Sequence, residues 1–148
     1  MMKEDSRILA IDPGEKNIGI AMSDPTATIA RPLLVLKHVS LTIDAARIAQ
    51  VARENQVKRI VVGFPSGGNC EMIPQSRHSQ RLAEAIQDQS EAPVTLWDES
   101  GSTKIAIRSR IELEVPVSHR RGHQDSLAAA VILQSYLDAH PCEEEING

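Results

Sequence analysis

Short apolar runs closed by turn residues fill the first third of the chain, and apolar positions at helical spacing take over where they stop. Arg7-Ile-Leu-Ala-Ile-Asp12 ends at Pro13-Gly14, which predicts a buried strand running into a turn. Asn17 to Ser23 alternates in part and stops at Asp24-Pro25, so these two runs predict a hairpin. Arg31 to Lys37 supplies a third strand. Leu41, Ala45, Ile48, Ala49 and Ala52 then recur on one helical face, with Ser40 or Thr42 as N-cap, and predict a helix to about Asn55.

The apolar, β-branched run Lys58 to Gly63 is a fourth strand, followed by a lid-like loop over Pro65 to Asn69. A helix over Gln75 to Gln89 and a fifth strand over Val94 to Glu99 come next. Ser100 to Thr103 leads into a short helix ending near Arg110. Ile111 to Gln124, with Pro116 and Gly122 and no clear period, predicts a surface loop. Asp125 to Ala139 is the last helix, with Asp125 heading the core-facing stripe Ala129, Ile132, Leu133 and Tyr136. The order βββαβαβα predicts an α/β domain whose five-stranded mixed sheet is flanked by helices.

A length of 148 residues fits one such domain, expected over 1–140, with 141–148 as an acidic disordered tail. No apolar run is long enough for a membrane span and the start lacks an export pattern, so a cytoplasmic protein is expected. Cys70 and Cys142 lie far apart, which disfavours a zinc site or a disulfide framework and leaves two free thiols. The net charge of −4 argues against a nucleic-acid partner until the charges are placed. Without Glu143, Glu144 and Glu145 it is only −1, and the segment from Lys104 to His123 is locally +3. Aromatic residues make up 2% of the chain, too few for a platform on which successive bases stack. Gly67-Gly68 lacks the Gly-Lys-Ser/Thr that a phosphate-cradling loop needs, and His119 and His123 lack the zinc-protease pattern.

Three acids fall at the ends of predicted buried elements: Asp12 after the first strand, Glu99 beside Asp98 after the fifth, and Asp125 at the start of the last helix. Each alone suits an ordinary role as turn former, solvated strand end or helix cap. Together they converge, because parallel first and fifth strands put their C-terminal ends on one edge, where α/β sheets bind ligands. Clustered carboxylates repel one another and are reconciled by hard divalent cations such as Mg²⁺ or Mn²⁺. Two such ions suit phosphodiester displacement.

Ile11 to Asp24, Val61-Val-Gly-Phe-Pro65, Trp97-Asp-Glu-Ser-Gly-Ser-Thr103 and Gly122 to Leu137 resemble, in the same order, the blocks of the Holliday-junction-resolvase-like pre-16S rRNA nuclease family of bacteria. The resemblance implies a ribonuclease H-like fold and a metal-dependent nuclease that trims the 5′ end of precursor 16S rRNA, with junction cleavage in branched DNA as the alternative. It implies Asp12, Glu99 and Asp125 as catalytic, metal-binding carboxylates and puts Lys16 at a basic position after the first-strand turn. Ser102, Thr103 and the loop arginines Arg120 and Arg121, close in sequence to Asp125, are expected to hold substrate phosphates. The family pattern has Arg where this chain has Asn17, and Arg-Leu where it has Ser100-Gly101, which predicts a weaker phosphate grip. Those departures motivate a second alternative, a binding module for nucleic acid or ribosome assembly without catalysis. An ATPase of the sugar-kinase type would need two such domains, so the length weighs against that expectation. Trimming rRNA needs no second copy and a four-way junction suits a pair, so a monomer or weak homodimer is expected.

Overall fold

The computed structural model describes residues 6–14, 16–64, 74–98, 111 and 124–140, with the backbone alone at 74–76, 124 and 125. The lid over 65–69, the short helix after Thr103, the basic stretch 112–123, both cysteines and the acidic tail lie outside the described residues. The two leading apolar runs form strands β1 (Ile8–Pro13) and β2 (Asn17–Ser23), paired antiparallel as a hairpin. Strand β3 (Ala30–Lys37) adds antiparallel to β2. Strands β4 (Arg59–Phe64) and β5 (Val94–Asp98) add in parallel on the other side of β1, giving the order β3-β2-β1-β4-β5. All strands except β2 therefore end at the same edge of the mixed sheet. Pro13 lies inside β1, opposite Ile18, one residue beyond the expected strand end.

Helices α1 (Leu41–Glu54) and α2 (Pro74–Gln89) cover one face, and α3 (Gln124–Ala139) covers the other. Strand alternation sorts the core accordingly. Leu9, Ile11, Ile18, Ile20, Ile60 and Val62 face α1 and α2, whereas Ala10, Ala21 and Val61 face α3. The four residues of the expected α3 stripe are buried, but so are Leu127, Ala130, Val131 and Leu137. Helix α3 is thus enclosed nearly all round, as its almost unbroken apolar sequence requires. Ile111, expected as the first residue of a loop, is instead helical and 3% exposed within this layer.

Ser40 is the N-cap of α1, its hydroxyl accepting from the Ile43 N–H at 3.2 Å. Leu41 departs from the expected face and is 36% exposed, while Asp44 is only 2% exposed. A carboxylate can take that inward slot because it is satisfied: Asp44 accepts from the Val39 N–H at 3.0 Å and from His38 Nδ1.

The turn between β2 and β3 is organised by Asp24, whose Oδ1 accepts from the N–H groups of Thr28 at 2.8 Å and Ile29 at 2.9 Å. Ala27 sits there in the left-handed region at φ 57°, its N–H on the Asp24 carbonyl at 3.0 Å. Burial acts to raise the Asp24 carboxyl, but hydrogen bonds from Ile29, Thr26 and Thr28 outweigh it and hold the group below the usual carboxylate value. A carboxyl depressed in the folded state stabilises above its unfolded pKa and loses that contribution as pH falls through the folded value. Asp24→Ala is therefore expected to lower Tm by a few degrees at neutral pH, with the difference from wild type shrinking as pH falls below the usual carboxylate range. Thermal melts across pH check this.

Candidate active site

Asp12 occupies the C-terminal end of β1, opposite Gly19 of β2. Period-2 alternation puts it on the α3 side with Ala10, and the residue is half-buried. In the next strands the same row and face are filled by Gly63 and then Trp97. Gly63 has no side chain and is buried, so β4 places no functional group between Asp12 and the Trp97 indole. Trp97 lies against the core without being enclosed, its Nε1 donating to Ser135 Oγ at 3.2 Å and its ring meeting Tyr136 edge to face at 5.2 Å. Hence β4 contributes no carboxylate to this face.

The two adjacent acids of the fifth strand are separated by strand phase. Asp98 is the last residue of β5, paired with Phe64, and falls on the α1/α2 face. Glu99 is the next residue along the chain and lies outside the described set, as do Ser102, Thr103, Arg120 and Arg121. Asp125 is the second residue of α3, on the layer that Asp12 faces. Lys16 is exposed on the β1–β2 turn, and its carbonyl accepts from the His38 N–H at 2.8 Å, which ties that turn to the end of β3. Of the expected site, the described residues thus bring Asp12 and Lys16 to one edge, with the first turn of α3 on the same side of the sheet.

Gly14 sets the shape of that turn. A Cβ there would stand 2.2 Å from the Asn17 carbonyl oxygen, so the constraint is space rather than backbone conformation.

Gln134, which nothing in the sequence pattern singles out, fixes the seat of α3. It is 6% exposed; its Oε1 accepts from the Ala30 N–H at 2.9 Å and its Nε2 donates to the Thr28 carbonyl at 3.1 Å. Gln134→Leu leaves both backbone groups without partners and is expected to cost about 2 kcal/mol, read as a lower denaturant midpoint.

The donor chemistry of the three expected acids fits a hard divalent cation, since Asp12, Glu99 and Asp125 have carboxylate oxygens and no thiolate or imidazole to offer. Among the described residues no three His, Cys, Asp or Glu side chains form a metal-ligating group, and the side chains of Glu99 and Asp125 are not among them. No helix among those residues is long and apolar enough to cross a membrane.

Comparison with known proteins places these residues in a family context. The model of the RuvX family, described as Holliday junction resolvase, matches residues 6–139. A protein of Roseiflexus sp. (strain RS-1) named "Putative pre-16S rRNA nuclease" is 35% identical over 139 residues, covering 94% of this chain and 99% of its own length. One of the same name from Symbiobacterium thermophilum is 42% identical over 133 residues, 90% of this chain and 92% of its own. Among solved structures, T. thermophilus RuvC in complex with a Holliday junction substrate superposes with a TM-score of 0.60 at 17% identity, covering 93% of this chain and 97% of that one. The fowlpox virus Holliday junction resolvase gives a TM-score of 0.57 at 16% identity, covering 90% and 98%. The fold is that of the RuvC-like, ribonuclease H-like nucleases, as expected from the sequence.

Proposed function

From the premise that this chain belongs to the RuvX family of Holliday junction resolvases, we propose that it is the nuclease that trims precursor 16S rRNA, acting with divalent metal ions held by Asp12, Glu99 and Asp125. The observation that carries the substrate is the 35% and 42% identity to proteins named for pre-16S rRNA over nearly the full length of both partners. Fold likeness alone would not separate RNA from branched DNA.

Support for the grouping of the carboxylates comes from the seat of α3. Gln134 bonds Ala30, which pairs with Ser23, and the Ser23 hydroxyl accepts from the Ile8 N–H at 2.9 Å. Gln134 therefore stands level with the start of β1. Nine residues back along α3 is a rise of about 13 Å. The four residues from Ile8 to Asp12 span about the same distance. The first turn of α3, which carries Asp125, accordingly reaches the edge where β1 ends.

When bound, two Mg²⁺ or Mn²⁺ ions supply activation of water and stabilisation of the leaving oxygen in an in-line phosphodiester displacement. The protein's part is to hold acidic oxygens in place on rigid elements. Asp12, fixed on the central strand, and Asp125, at the helix start, are the metal ligands. Glu99 completes the shell or orients the attacking water. Lys16 meets a phosphate as a point charge, and Ser102, Thr103, Arg120 and Arg121 hold neighbouring phosphates, contacts that set register without reading sequence. Such contacts suit a chain with few aromatic residues.

The test is cleavage of end-labelled precursor 16S rRNA beside a labelled four-way DNA junction, with Mg²⁺ or Mn²⁺. Trimming of the RNA with the junction left intact is the expected result. Cleavage of the junction alone would transfer the site to DNA.

A further inference from the structure

The C-terminal edge carries a cation outside the proposed catalytic set. Lys37, the last residue of β3, pairs in register with Asn17. Both are exposed, and alternation against Leu34 and Leu36, which pack towards α1 and α2, puts Lys37 on the α3 side with Asp12. The two positions are two strands apart across β2 and two residues apart along it, a separation of about 12 Å from strand spacing and rise. That is three to four steps of a stacked strand at about 3.4 Å each. No carboxylate among the described residues pairs with Lys37 or with Lys16, which lies on the turn between them.

The backbone at Lys37 is fastened from three sides. Its carbonyl accepts from Arg47 Nη1 at 3.2 Å. The next residue, His38, donates its N–H to the Lys16 carbonyl at 2.8 Å and its Nδ1–H to the buried Asp44. Asp44 also receives the Val39 N–H at 3.0 Å. The clamp holds the Lys37 backbone and the Lys16 turn in one fixed relation to Asp12, which is how a site lowers the ordering cost of gripping a polyanion.

We propose that Lys37, clamped by Arg47, His38 and Asp44 at the end of β3, is a substrate-positioning residue that binds a backbone phosphate of the nucleic acid upstream or downstream of the scissile bond. The proposal rests on the nuclease function above and extends the contact surface across β2 to the far side of the sheet from β5. Lys37 does not touch the reacting atoms, so it acts on binding and register rather than on the chemical step.

The experiment measures binding of labelled precursor rRNA segment and four-way DNA junction over a range of salt, together with steady-state cleavage, for wild type, Lys37→Ala, Lys37→Glu and Lys37→Arg. Lys58→Ala, at the opposite edge of the sheet, is the control. Loss of one phosphate contact is expected to reduce the slope of log K against log salt by about one in Lys37→Ala. KM is expected to rise about three- to tenfold with kcat within about twofold, more steeply for Lys37→Glu and with recovery in Lys37→Arg. Lys58→Ala should match wild type. An unchanged salt slope and KM in Lys37→Ala and Lys37→Glu, with wild type active, would overturn the role of Lys37 and leave the nuclease assignment standing. Failure of wild type to bind either nucleic acid would overturn both.

Discussion

Asp12→Asn is expected to lower cleavage of precursor rRNA by roughly a thousandfold, about 4 kcal/mol of transition-state stabilisation, while the protein still folds and still binds the RNA. The substitution is nearly isosteric, so the row Asp12, Gly63, Trp97 on the α3 face keeps its shape. What it removes is one negative charge and one proposed ligand oxygen at the end of β1. An amide cannot replace a carboxylate in reconciling Glu99 and Asp125 with a divalent ion. Binding is expected to hold or to tighten slightly, since a carboxylate facing the phosphate backbone is gone. Single-turnover cleavage and binding at equilibrium separate the two effects. Wild-type cleavage by Asp12→Asn would remove the strand-end carboxylate from the chemistry.

Gly14→Ala has the second largest expected effect, and it acts through the backbone. The new Cβ would meet the Asn17 carbonyl oxygen at 2.2 Å and its carbon at 3.4 Å. Neither is a side-chain tip that can swing aside, so the β1–β2 turn must open. Asn17 begins β2 and pairs with Lys37, Pro13 pairs with Ile18, and the Lys16 carbonyl receives the His38 N–H. Opening the turn therefore pulls on the central hairpin and on the clamp at the end of β3 together. A loss of about 2 to 4 kcal/mol is expected, with cleavage falling further than stability because Lys16 and Asp12 flank the change. Chemical denaturation beside activity at a temperature where the variant is folded checks both parts. Full stability in Gly14→Ala would show that the turn has slack that the 2.2 Å approach denies.

Much of this architecture is legible in the sequence because it is written in local signals. Apolar runs ending at Pro13-Gly14 and Asp24-Pro25 give the hairpin, the switch from period 2 to helical spacing at Ser40 gives α1 and its cap, and the β-branched run before Gly63 gives β4. The face of Asp12 also follows from alternation within β1. Features set by partners outside the element itself are not legible in this way. Asp44 reads as a polar position on a helical wheel, and its burial depends on His38 and the Val39 N–H reaching it from outside α1. Gln134 likewise becomes a core residue only because Thr28 and Ala30, more than a hundred positions earlier, present backbone groups to it.

The candidate site divides along the same line. Asp98 and Glu99 are equivalent as neighbouring acids after an apolar run, and only the register of β5 on β4 shows that Asp98 falls on the face away from Asp12. Lys37 is ordinary as the polar end of a strand until the β2–β3 register sets it beside Asn17, the position where the family pattern has an arginine. The bulge between Ile20 and Ala21, where Pro32 of the edge strand cannot donate to the ladder, shifts that register in a way no alternation count reveals.

The central claim is that carboxylates at the C-terminal edge work through divalent ions. Its most direct test is cleavage of end-labelled precursor 16S rRNA by wild type and Asp125→Asn, each titrated with Mn²⁺ or Mg²⁺ and then with chelator. Activity in wild type that rises with the ion, vanishes with chelator and is absent from Asp125→Asn at every ion concentration is the predicted result. Equal, chelator-resistant cleavage by the two proteins would contradict it.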